Sequence, residues 1–160
     1  MAKATSDYPK HPSFRGRIVT EQEHERCLAS FGTRHERLVL PVLDGFGLYE
    51  RGHVHETPHP CIYVFRHRAL YVAEKRSRFL HCQKHRDAGV QFVFIRSRRL
   101  GFTPLPDNIW LRMERDWLQP QWFDKWRGFS VVTDVDIPRA REWMAAAVDC
   151  YDRFFGPAAR

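Results

Sequence analysis

Two runs rich in β-branched and aromatic residues, Cys61–Phe65 and Ala69–Ala73, are separated only by Arg66-His67-Arg68. A linker that short joins two strands as an antiparallel hairpin. A lone hairpin is marginal in water, so further elements must cover it. Downstream, Ser77 to Asp87 reads as a helix ended by Gly89, Val90 to Ile95 as a third strand, and Asp107 as the N-cap of a helix through Leu118 that Pro120 ends. The order hairpin, helix, strand, helix predicts an α+β fold: a small antiparallel three-stranded sheet flanked by helices.

Both flanks carry elements of their own. Residues 1–17 read as a loose arm. Thr20-Glu21-Gln22-Glu23 has capping-box spacing and starts a helix to Phe31, with Gly32 as its stop. Arg37 to Leu43 reads as an edge strand because of Pro41, Asp44-Gly45 as a turn, and Phe46 to Glu50 as a second strand. Gly52 to Pro60 is a loop rich in His and Pro. Phe129 to Val132 reads as a strand, and Asp136-Ile137-Pro138 opens a last helix to Phe155, closed by Gly156-Pro157. Its apolar residues Ala140, Trp143, Met144, Ala147, Tyr151 and Phe154 recur at helical spacing. At 160 residues the chain has single-domain length. It divides into an N-terminal extension (1–60), a core (61–123) and a C-terminal strand and helix (124–160).

Charge narrows the partners. Between Arg66 and Arg99 there are ten Lys/Arg against Glu74 and Asp87, so this stretch is +8 within a chain of +7. A local positive field attracts polyanions, of which nucleic-acid backbones are the commonest in a cytoplasm. No apolar stretch approaches the length of a membrane span, and no apolar run follows the basic N-terminus as in a secretory signal. A cytoplasmic protein is the expectation. Cys27, Cys61, Cys82 and Cys150 form no CxxC pair and are expected to be reduced thiols.

On the core lies a spaced set of chemically able residues. Cys61-Ile62-Tyr63 begins the first strand, Leu70-Tyr71-Val72-Ala73 lies on the second, and His81 and His85 follow ten and fourteen positions after Tyr71. Four apart, the two histidines share one face of the expected helix. Glu114 lies midway along the next helix, before Pro120. This pattern resembles the GIY-YIG nuclease superfamily over about 60 of the 160 residues. Tyr63 and Tyr71 match the family's two tyrosines, His85 its histidine, Glu114 its metal-binding glutamate and Pro120 its proline. Cys61 and Ala73 stand where the family has glycine, and His81 stands at its arginine. Arg78, one helical turn earlier, offers a substitute guanidinium, and the family's asparagine after the proline is absent.

The resemblance implies a metal-dependent DNA endonuclease that hydrolyses phosphodiester bonds. Glu114 would hold one hard divalent cation, Mg²⁺ or Mn²⁺, which stabilises charge on the phosphate and leaving oxygen. Tyr63, Tyr71 or His85 would accept the water's proton, and Arg78, Lys75 or His81 would grip the non-bridging oxygens. Lys75, Arg76, Arg96, Arg98 and Arg99 would contact backbone phosphates.

Other readings of the same residues stay open. Single tyrosines on strands are usually half-buried packing residues, histidines beside Lys84 and Arg86 usually a solvated face, and Glu114 between Arg112 and Arg115 usually a surface charge. The missing arginine and asparagine fit a catalytically degenerate nucleic-acid-binding or regulatory protein of the same fold. Trp110, Trp117, Trp122 and Trp126 could form a protein-interaction surface. His53, His55, His59, Cys61, His81 and Cys82 could ligate structural zinc, although no paired motif completes such a site.

Overall fold

A computed structural model describes residues 21–53, 60–66, 78–84, 89–94, 102 and 128–156. The expected strand over 69–73 and the helix over 107–118 lie outside these residues. The described part is α+β. Helix α1 spans Glu21–Phe31, a π-helical stretch His35–Val39 runs into a short α2 at Leu40–Leu43, and five strands follow: β1 Tyr49–His53, β2 Cys61–Phe65, β3 Arg78–Lys84, β4 Val90–Phe94 and β5 Gly128–Val131. A 3-10 turn at Asp134–Asp136 leads into α3, Ile137–Phe155. The strands form one antiparallel sheet in the order β1-β2-β3-β4-β5, each paired with its predecessor in sequence.

One face of the sheet carries the core. Ile62, Val64, Leu80, Cys82, Phe92, Phe94, Phe129 and Val131 are buried there with Cys27 and Phe31 of α1, Val42 of α2, and Trp143, Met144, Ala147 and Tyr151 of α3. Burial at 140, 143, 144, 147 and 151 follows the helical period that the sequence shows. The helix begins where expected: the Asp136 carboxylate accepts the Val132 and Thr133 amides at 2.9 and 3.2 Å, and Pro138 sits in the first turn. At the other end Gly156, at φ 89°, donates its N–H to the Asp152 carbonyl.

Three expectations are corrected. The sheet has five strands rather than three. The segment from Arg37 to Leu43 is helical, not an edge strand. Its buried residues Leu38, Val39, Val42 and Leu43 recur at the spacing of a helix face, and Pro41 falls in the first turn of α2, where no amide is required. The segment from Ser77 to Asp87 is no helix over its described part: Arg78–Lys84 is β3, paired with β2 on one side and β4 on the other.

Periodicity explains the third correction. Leu80 and Cys82 turn into the core while His81 and Gln83 occupy the opposite face, the two-residue alternation of a strand. The register slips between Val64 and Phe65, so Phe79 is an extra residue opposite no partner, yet it too is buried, against Phe94 and Tyr151. That bulge makes Phe79, Leu80 and Cys82 look like a helix face in sequence. β1 also begins at Tyr49, later than expected. Gly47 has φ 66°, and Arg66 Nη1 takes the Phe46 carbonyl, so the chain enters the ladder only beyond both.

Candidate functional site

Opposite the core, strand register aligns a row of residues straight across the sheet: Arg51, Tyr63, His81, Val93 and Gly128. The next row holds His53, Cys61, Gln83, Gln91 and Ser130. Tyr63 and His81 are therefore direct cross-strand neighbours, with ring centroids 6.3 Å apart and planes at 74°. Gln83 Nε2 lies 3.0 Å from His81 Nε2, two residues along the same strand face, and this contact fixes the plane of the imidazole. Tyr63 is buried and packs with Phe65, Tyr49 and Cys61, while His81 and Gln83 are half-buried. The row thus presents one partly accessible imidazole in edge contact with a buried tyrosine ring, and an imidazole is able to accept or pass a proton.

Of the residues expected to carry chemistry, the structure brings together Tyr63 and His81. His81 reaches Tyr63 from a strand, so the expected shared helix face of His81 and His85 is not formed. Arg78 heads β3 opposite Phe65 and is no helical neighbour of His81. Tyr71, His85, Glu114, Lys75, Arg76, Arg96, Arg98 and Arg99 lie outside the described residues, as do Trp110, Trp117, Trp122 and Trp126. The described residues carry ten Lys/Arg and eleven Asp/Glu, a net −1, so the remaining residues hold +8 of the chain's +7. Gln83, Gln91 and Ser130 were not singled out from the sequence. Their strand alternation was the available signal, hidden for Gln83 by the helical reading.

The metal expectation rests on Glu114, outside the described residues. Among the described residues no group of three or more His, Cys, Asp or Glu could hold a metal ion. Cys82 is a packing thiol: burial first, then the charges of Glu50, Cys61 and Cys27, push its pKa well above the ordinary range. No disulfide joins the described cysteines. No helix among the described residues is long and apolar enough to cross a membrane.

A concavity of about 650 Å³ lies between α2 and β1, lined by Leu40, Pro41, Leu43, Leu48 and Tyr49 with Asp44 and Glu50. Among the described residues, none expected to be catalytic lines it. Two arginines hold its rim. Arg141 Nη1 donates to the Pro41 and Asp44 carbonyls at 2.8 and 2.7 Å and lies over the Phe46 ring. Arg66 makes a two-pronged pair with Asp152 of α3, at 3.0 and 2.7 Å, besides its bond to the Phe46 carbonyl. Both partners of that pair are mostly shielded from water. Arg66→Ala is expected to cost about 2–3 kcal/mol, because a shielded carboxylate and a carbonyl lose their donor together. Urea unfolding measures this, and a loss below about 0.5 kcal/mol, typical of an exposed pair, would contradict the clamp.

Comparison of the chain with protein-family models, curated proteins and solved structures finds no match.

Proposed function

We propose that the protein binds nucleic acid through its phosphate backbone. The observation that carries this reading is the partition of charge: +8 between Arg66 and Arg99, against a net −1 for all other residues together. A field so concentrated on one segment lowers the free energy of a nearby polyphosphate and releases its condensed counterions. DNA is the expected partner.

A second reading adds hydrolysis of the phosphodiester, and the Tyr63–His81 neighbourhood favours it. His81 is half-buried, in contact with Gln83 and beside the Tyr63 ring, and an imidazole released from Gln83 would be able to exchange a proton with a phosphate-bound water. The resemblance to GIY-YIG nucleases supplies the same reaction class and its Mg²⁺ or Mn²⁺ requirement. The strand conformation of residues 78–84 removes the helical spacing from its support, so the hydrolytic reading stands on the Tyr63–His81 contact and the unplaced Glu114.

The test measures binding of a labelled duplex and a single strand by anisotropy across salt, beside cleavage of supercoiled plasmid. Engagement of six to ten phosphates predicts a loss of about 10³–10⁵ in affinity between about 50 and about 200 mM salt. Affinity that does not change with salt defeats the binding reading. Cleavage that requires Mg²⁺ or Mn²⁺, stops with EDTA and disappears in His81→Ala and Glu114→Ala while binding persists establishes the nuclease. Salt-dependent binding with no cleavage under any condition leaves a binding protein.

A further inference from the structure

His24 lies one turn into α1 and faces β1. Its Nδ1 accepts the backbone N–H of Gly52 at 2.8 Å. A backbone N–H only donates, so this nitrogen must present its lone pair and the imidazole must be neutral for the bond to exist. Around it the two elements approach closely. A Cβ at Gly52 would lie 2.8 Å from both the Cys27 Cβ and the His24 carbonyl oxygen, so only glycine admits the helix here. Cys27 Sγ donates to the Cys61 carbonyl at 3.3 Å, and Arg51 Nη1 donates to Glu21 Oε1 at 3.0 Å.

We propose that His24 is a proton-operated latch: a proton on Nδ1 turns the acceptor into a donor facing the Gly52 N–H, and α1 detaches from β1 while the rest of the sheet stays folded. Among the described residues, the charged groups around His24 are Glu21 from its own helix, Glu50 and Arg51 from β1, and His35 from the π-helical stretch. Burial lowers the His24 pKa most, and the Arg51 charge adds to it. Glu21 and Glu50 oppose this, and His35 lowers it slightly further. With the docked-state value depressed, the detached state binds more protons. The latch is fully closed above the ordinary imidazole pKa of about 6.5 and opens as the pH falls through the lower docked value. His35 Nε2 lies 2.6 Å from Glu50 Oε1 and ties the π-helical stretch to β1 beside the latch.

Cys27 reports the motion, because its thiol is fully buried on the face of α1 that packs on β1 and β2, whereas Cys150 is partly exposed. Intact protein is labelled between about pH 7.5 and about pH 5 with an aromatic disulfide reagent that stays reactive in acid, and each cysteine is mapped by mass spectrometry. Cys27 labelling, normalised to Cys150, is expected to rise severalfold across that range, because the detached state binds the extra proton. Cys82, at the sheet centre, is expected to stay protected. His24→Asn keeps an acceptor near the Nδ1 position without titrating, and its Cys27 profile should be flat. Cys27 protected at both pH values, an equal rise in His24→Asn, or Cys82 opening together with Cys27 as in global unfolding would each overturn the latch.

Discussion

Trp143→Ala is expected to remove about 3–5 kcal/mol of stability, enough to unfold a marginal domain at ordinary temperature. The indole is 1 % exposed, sits on the inward stripe of α3 and lies 5.7 Å from the Phe129 ring, itself stacked on Phe92. Aromatic burial contributes both area and ring contacts, so truncation leaves a cavity at the point where helix and sheet meet. Urea unfolding compares this variant with Val135→Ala, whose side chain is 81 % exposed and whose loss should stay within about 0.5 kcal/mol. Equal losses in the two would mean that α3 does not pack its tryptophan into the sheet.

Gly128→Ala is expected to cost about 3 kcal/mol for a single added methyl group. A Cβ there would collide with the Phe92 carbonyl oxygen and lie 3.0 Å from the Val93 Cα. All the obstructing atoms are β4 backbone, and β4 is paired on both sides, so neither strand can yield without breaking the ladder. Gly32 gives the contrast. A Cβ there meets nothing within 4 Å, although φ is 59°, so Gly32→Ala carries only left-handed strain of about 1 kcal/mol. Thermal unfolding ranks the pair, and a Gly128→Ala protein as stable as Gly32→Ala would place β5 away from β4.

Legibility in the sequence followed how local the deciding interaction was. α1 and α3 show their period, caps and stop residues within a few positions, and the structure has them at Glu21–Phe31 and Ile137–Phe155. The first hairpin strand, the Val90 strand and the Phe129 strand were legible as compact β-branched and aromatic runs. Two segments were not. Leu38 to Leu43 is apolar without interruption, which suits strand and buried helix equally, and packing under the sheet decided for helix. In β3 the bulge beside Phe65 adds a residue to the alternation, and a bulge depends on the partner strand rather than on its own sequence. The same non-locality hid the site. The strand that carries Tyr63 is legible in Cys61–Phe65, but its contact with His81 is a matter of register between residues 18 positions apart, which no spacing rule expresses.

Among the described strands, β1 is the outermost on one side of the sheet. Unpaired amides along such a rim recruit strands from other molecules, the first step of intermolecular aggregation. Here the Gly52 amide is blunted by a side chain, the imidazole of His24, instead of by a bulge, a proline or a lysine. Under the proposed latch, a proton on that ring would bare the Gly52 amide, so the exposure of this rim to other strands is tied to the charge on one imidazole.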